Sequence, residues 1–176
     1  MKKILVAALM LVGFVQMINA QETTEKRLPK LPSIDVKNAD GQTINTATLS
    51  NDGKPMIISF WALWCKPCIK ELTTIAEVYD EWQEETGVKI IAVSIDDARS
   101  SSKVKPTADG KGWSYELLLD QNSDFKRAMN VNLIPHTFLV NGKGEIVWQH
   151  TSFSEGSELE LIELVRKLNR GEAISE

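Results

Sequence analysis

The apolar positions of this chain change period several times, and each change marks an element. Met56–Trp61, "MIISFW", is a short apolar run rich in β-formers and predicts a buried strand. From Pro67 onward Cys68, Leu72, Ile75, Ala76, Tyr79 and Trp82 recur at helical spacing, with Lys70, Glu77, Asp80 and Glu84 between them. This predicts one helix, ended by Gly87. Val88–Ile95, "VKIIAVSI", is again nearly continuous, as expected of a parallel strand covered on both faces. The first half is therefore a β-α-β unit.

The second half follows a different order. Tyr115–Asp120 predicts a strand and 124–129 a short helix. "HTFLV" and "EIVWQ" flank Asn141-Gly142-Lys143-Gly144, which predicts a hairpin around an Asn-Gly turn. Ser157 with Glu160 has capping-box spacing, and Leu161, Leu164, Val165 and Leu168 give a final helix its apolar face. The stretch 97–112 is the least regular and reads as an irregular helix with a long loop. A β-α-β half followed by a β-β-α half predicts an α/β fold with a central mixed sheet flanked by helices.

The first twenty residues stand outside that fold. Lys2 and Lys3 precede a short apolar stretch from Ile4 to Val15, and small Ala20 precedes Gln21, the pattern of a cleaved export signal. An uncleaved anchor is the alternative, although the stretch is shorter than the ~17–25 residues that span a bilayer. The expected organisation is a signal at 1–20, a polar, Pro-punctuated leader at 21–30, one domain at 31–170 and a tail at 171–176. Without the signal, 156 residues remain, and loss of Lys2 and Lys3 moves the net charge from −4 to −6. A mildly acidic surface gives no reason to expect nucleic acid or anionic lipid as a partner.

Cys65 and Cys68, in "FWALWCKPCIKEL", are the only two cysteines, and they lie at the strand-to-helix turn of the β-α-β unit. Export allows a disulfide to persist. A bridge closing so short a loop removes little entropy from the unfolded chain, which argues against a purely structural role. A redox pair is the preferred reading. Half of a metal site is the other.

Two motifs and the opening segment resemble a known family. "WALWCKPC" is similar to the W-A-x-W-C-x-P-C signature of thioredoxin-like proteins, and "IPHTFLV" to their x-P-x-T-F-L segment. "DVKNADGQTINTATLS", ahead of the strand, resembles the two short strands that open the TlpA/ResA-like branch of exported thiol–disulfide oxidoreductases. The resemblance implies a thioredoxin fold with an N-terminal β extension, acting as a monomer without a cofactor on disulfide-bearing client proteins. A membrane thiol-electron carrier in the periplasm would re-reduce it.

The residues acquire roles accordingly. Cys65, at a helix N-terminus where unpaired N–H groups favour thiolate, attacks the target, and Cys68, one turn deeper, resolves the mixed disulfide. Pro67 suits a first turn, and Lys66 adds a nearby positive charge. Glu71, in the branch's C-x-P-C-x-x-E pattern, is placed beside Cys68 to accept its proton, with Trp61 and Leu72 as apolar surroundings. Ser59 stands where cytoplasmic thioredoxins carry a buried Asp, and cannot act as a base. Pro135 corresponds to the family's cis-proline, which would free the Ile134 backbone to pair with an extended substrate. Trp64 is expected as a partly exposed contact and Trp61 as core.

His136 follows Pro135 and is a candidate for tuning the thiols; His150 is read as structural. Two alternatives stay open. A copper or zinc binding module would use Cys65, Cys68 and His136. A thiol peroxidase would need P-x-x-x-T-x-x-C, and here Ile58 and Ala62 occupy the Pro and Thr positions. Both thiols are present, which disfavours a redox-dead scaffold.

Overall fold

The computed structural model describes residues 28–174. The expected signal at 1–20, and most of the leader, lie outside the described residues. Strands β1 (Asp35–Asn38), β2 (Thr43–Asn45), β3 (Met56–Trp61), β4 (Lys89–Ser94), β5 (Glu116–Leu119), β6 (His136–Val140) and β7 (Ile146–Thr151) form one sheet in the order β2-β1-β5-β4-β3-β6-β7. β3, β4 and β5 are parallel neighbours, and β1–β2, β1–β5, β3–β6 and β6–β7 are antiparallel, so the sheet is mixed. β1 and β2 are the N-terminal extension. Pro29 and Lys30 also join the domain: Ile146 N–H donates to the Pro29 carbonyl at 2.8 Å, and Lys30 bridges Glu145.

Five helices complete the described fold: α1 (Lys66–Ala76), α2 (Tyr79–Thr86), α3 (Val104–Gly110), α4 (Asp124–Ala128) and α5 (Ser157–Asn169). Alternation along β3 divides the core. Ile57 and Trp61 join Leu72, Ile75, Trp82, Leu161 and Val165 of the helices in one cluster. Met56, Ile58 and Phe60 face the other way, onto Leu31, Val36, Phe125 and Phe138. The stretch 97–112 holds a single 3-10 turn, Ser101–Lys103, leading into α3, whose Val104 and Ala108 are buried.

The structure corrects three local expectations. The single helix from Pro67 to Gly87 is two helices, broken at Glu77 and Val78, where Val78 leaves helical geometry with φ −123° and ψ 4°. β-Branched Thr73, Thr74, Ile75 and Val78 crowd this segment and weaken its helical preference. Tyr79 also ties α2 to the sheet: its hydroxyl accepts the Ile90 N–H at 3.0 Å. Gly87 does end α2, at φ 68°.

The hairpin loop runs from Asn141 to Glu145, one residue longer than the expected 141–144 connection. Asn141 Oδ1 accepts the N–H groups of Lys143 and Glu145, and the positive φ falls on Gly144 at 75°. Gly142 is needed for another reason, since a Cβ there would overlap the Gly53 carbonyl. The capping box at Ser157 does not form. α5 starts after Gly156 at φ 91°, and the Ser157 hydroxyl donates to the Ser154 carbonyl.

Candidate active site

The redox pair sits where β3 ends and α1 begins. Cys65 and Cys68 are joined as a disulfide with Cα atoms 5.3 Å apart. Cys65 is the N-cap of α1, and its Sγ accepts the Cys68 N–H at 3.3 Å. The same donor and the helix dipole would face a Cys65 thiolate after reduction. Pro67 lies in the first turn, and Lys66 and Pro67 are exposed between the sulfurs. Cys65 retains 4% exposure and Cys68 none, so Cys65 is the less covered of the two.

A second buried carboxylate shapes the loop, and sequence reasoning missed it. Asp96, just beyond β4, accepts the Leu63 N–H at 2.9 Å and the Ser94 hydroxyl at 2.8 Å. Leu63 belongs to the turn that presents Cys65. Asp96 therefore fixes the approach to the thiols across 33 residues of sequence.

Glu71 is three residues after Cys68, on the same face of α1. Thr137 donates to its Oε1 at 2.8 Å, and Ser59 to its Oε2 at 3.3 Å. Ser59 and Thr137 are register partners on β3 and β6, so the sheet itself builds this pair of donors. The expected apolar surroundings are thus corrected: two hydroxyls touch the carboxylate, and Ser59 serves as a donor to it. Burial raises the Glu71 pKa to about 7, with the Thr137 and Ser59 hydrogen bonds pulling the other way. A carboxylate half-ionised near neutral pH is suited to accepting and returning a proton.

The Ile134–Pro135 peptide is cis, and buried Pro135 leads directly into β6. Ile134 packs against both core clusters. Trp61 is fully buried, edge-to-face with Trp113 at 5.0 Å, and its indole N–H has no hydrogen-bond partner among the described residues. Trp64, beside Cys65, is 69% exposed, and Leu133, just before the cis peptide, is equally open.

His136 does not join these groups. Its ring stacks on Phe138 at 4.5 Å, its Nε2 pairs with Gln149 at 3.1 Å and its Nδ1 with Thr151 at 3.2 Å. Alternation along β6 sends Thr137 to the Glu71 face and His136 to the opposite one, with the second core cluster. Both the tuning role and the Cys65–Cys68–His136 metal set are therefore unsupported by its placement. Among the described residues no group of three or more metal-ligating side chains is assembled.

A disulfide-bonded cysteine pair capping a helix at the end of β3, with a cis-proline leading into the neighbouring β6 of this mixed sheet, defines a thioredoxin-fold thiol–disulfide oxidoreductase. The chain belongs to the AhpC/TSA family, which it matches over residues 29–149. It is 27% identical to sporulation thiol-disulfide oxidoreductase A of Bacillus subtilis over 82% of this chain and 87% of that one. It is 30% identical to the thiol-disulfide oxidoreductase ResA of Halalkalibacterium halodurans, covering 74% of this chain and 72% of the relative. The solution structure of an uncharacterized thioredoxin-like protein from Porphyromonas gingivalis is 59% identical, with a TM-score of 0.73 over 80% of this chain and 92% of that one.

Proposed function

We propose that this protein works outside the cytoplasm, as a monomer, reducing disulfides in client proteins. A thiol-electron carrier in the membrane returns it to the dithiol. The observation that carries this reading is the position of the pair: Cys65 at the helix N-cap and slightly open, Cys68 sealed one turn below, Glu71 one turn further. Among the described residues no helix is long and apolar enough to cross a membrane. Export rests on the sequence pattern of residues 1–20.

In the dithiol form the Cys65 thiolate attacks a client disulfide. One client sulfur leaves as thiolate, and Cys65 is joined to the other. Cys68 then gives its proton to Glu71 and attacks Cys65 Sγ. The second client sulfur leaves, and the Cys65–Cys68 bond forms as found here. Two electrons have passed to the client. Trp64 and Leu133 offer exposed apolar surface to it, the Ile134 backbone an edge for an extended segment, and Lys66 a positive charge beside the attacking sulfur.

The test is trapping in the exported compartment. Cys68→Ser should accumulate mixed disulfides through Cys65, and Cys65→Ser should trap none. Faster alkylation of Cys68 than of Cys65 in the reduced protein would overturn the assigned order. A reduction potential more oxidising than that of the client disulfides would reverse the proposed direction.

A further inference from the structure

The parallel ladder between β3 and β4 ends on a side chain. Trp61 is the register partner of Ser94, and the Ile95 N–H donates to the Trp61 carbonyl at 2.9 Å. Continued in register, the next rung would run from the Leu63 N–H to the Ile95 carbonyl. Leu63 N–H instead donates at 2.9 Å to Oδ2 of Asp96, one residue further along. A carboxylate thus stands in for the backbone acceptor where β3 turns away toward α1. Ser94 holds that carboxylate in place: its hydroxyl donates to the same Oδ2 at 2.8 Å and accepts the Asp96 N–H at 3.1 Å. Asp96 is 3% exposed, and among the described residues it has no cationic partner. Its bonds go to the loop and to β4 alone.

Leu63 is the second residue of a turn that the Cys65 N–H closes by donating to the Ala62 carbonyl at 3.0 Å. Its side chain packs against the first core cluster, while Trp64, the third residue, points out and is 69% exposed. Cys65 is the fourth, and it is also the N-cap of α1, its Sγ accepting the Cys68 N–H at 3.3 Å. The turn therefore has to deliver the Cys65 sulfur within reach of one backbone donor. A cap stabilises its acceptor only while acceptor and N–H meet, and a thiolate gains more from that contact than a thiol does. Asp96 ties this turn to β4, the middle strand of the sheet.

We propose that Asp96 is a positioning residue for the first step of the reaction. Its bond to Leu63 N–H holds the 62–65 turn where the Cys65 thiolate meets the Cys68 N–H, and so sets the reactivity of Cys65. The inference rests on Cys65 being the attacking sulfur. Without the bond the Leu63 N–H loses its acceptor, the turn loosens, and Cys65 spends less time against its donor. The thiolate is then less favoured and attack on a client slows. Resolution is affected less, because Cys68 and Glu71 lie within α1 and Glu71 is held by Ser59 and Thr137 rather than by the turn.

The experiment reads Cys65 directly. Reduced wild type, Asp96→Asn, Asp96→Ala and Ser94→Ala are alkylated with iodoacetamide across pH, and the labelled cysteine is assigned by mass spectrometry. Both Asp96 variants lose the charge and only alanine loses the acceptor, so the difference between them isolates the bond. Lys66 and Glu71 are present in every protein, and their influence on the thiol cancels in that comparison. On the acid side of the profile Asp96→Ala should label Cys65 about three- to tenfold more slowly than Asp96→Asn, the range expected for weakening a cap. The two should converge at high pH, where the thiol is fully ionised. Ser94→Ala keeps charge and acceptor but frees the carboxylate, so it should displace the wild-type profile the same way by less; this arm decides if Asp96→Ala does not fold. In stopped flow with a disulfide peptide, Asp96→Ala should form the mixed disulfide more slowly than Asp96→Asn and resolve it at a similar rate. Coincident profiles for the two Asp96 variants, or for Ser94→Ala and wild type, would make Asp96 a structural residue only and leave the order of attack standing. Faster labelling of Cys68 than of Cys65 in wild type overturns the order of attack, and the inference with it.

Discussion

Asp96 and Glu71 are both buried carboxylates beside the redox loop, 3% and 6% exposed, so burial does not distinguish them. Their donors do. Asp96 accepts a backbone N–H, from Leu63, whose direction the chain fixes, and shares two hydrogen bonds with Ser94. Glu71 accepts only hydroxyls, from Ser59 and Thr137, which can turn about their C–O bonds, and it borders a cleft. A rigid donor suits a carboxylate that holds a loop. Rotatable donors suit one whose charge changes, because they can adapt when the proton arrives.

The largest effect expected from this contrast is on stability against pH. The Glu71 pKa lies at about 7 in the fold against an ordinary value of 4.5. Between those pH values the folded chain holds a proton that the unfolded chain has released. The stability advantage is therefore complete below the unfolded pKa and is lost as pH rises through the folded one. Glutamine cannot ionise, so from pH 4 to 8 wild type should lose about 3 kcal/mol relative to Glu71→Gln. Urea unfolding of the two oxidised proteins across that range measures the difference. Parallel curves would mean that Glu71 ionises as freely in the fold as outside it.

Asp96→Ala should act differently. It strips the acceptor from Leu63 N–H and from the Ser94 hydroxyl, at a cost of about 2 kcal/mol. The pH slope assigned to Glu71 should remain, because the Ser59 and Thr137 bonds are untouched. Thermal unfolding at several pH values would show a uniform fall. If the slope itself disappears, the two carboxylates are coupled and the division of roles is wrong.

The contrast also marks how far the sequence could be read. The cysteine pair, the β-α-β unit and the C-terminal hairpin are local patterns, and each appears in the structure. The break at Glu77 and Val78 was hidden because buried positions 68, 72, 75, 79, 82 and 86 keep helical spacing straight through it. Asp96 and Thr137 were passed over because their partners lie far away in sequence: 33 residues separate Asp96 from Leu63, and 66 separate Thr137 from Glu71. His136 was misjudged by one residue of strand parity. Nothing local says which of two neighbours a strand turns toward the helix until Thr137 is paired with Ser59.

The smallest effect should come from Thr137, and it tests the hydroxyl argument directly. Thr137 and Ser59 both lower the Glu71 pKa, since a donated hydrogen bond favours the charged carboxylate. Thr137→Val keeps the shape and the β-branch and removes the 2.8 Å donor. The Glu71 pKa should then rise further, and less of the carboxylate would be ionised near neutral pH to take the Cys68 proton. A hydroxyl can still bond the neutral acid, so the differential loss is about 1 kcal/mol, or about fivefold in the ionised fraction. Resolution of a preformed mixed disulfide should therefore slow below the midpoint and recover at higher pH, moving the whole profile upward. Thr137→Ser restores the donor and should restore the profile. A profile that stays in place in Thr137→Val, or moves downward, would show that the hydroxyl does not set the charge of Glu71.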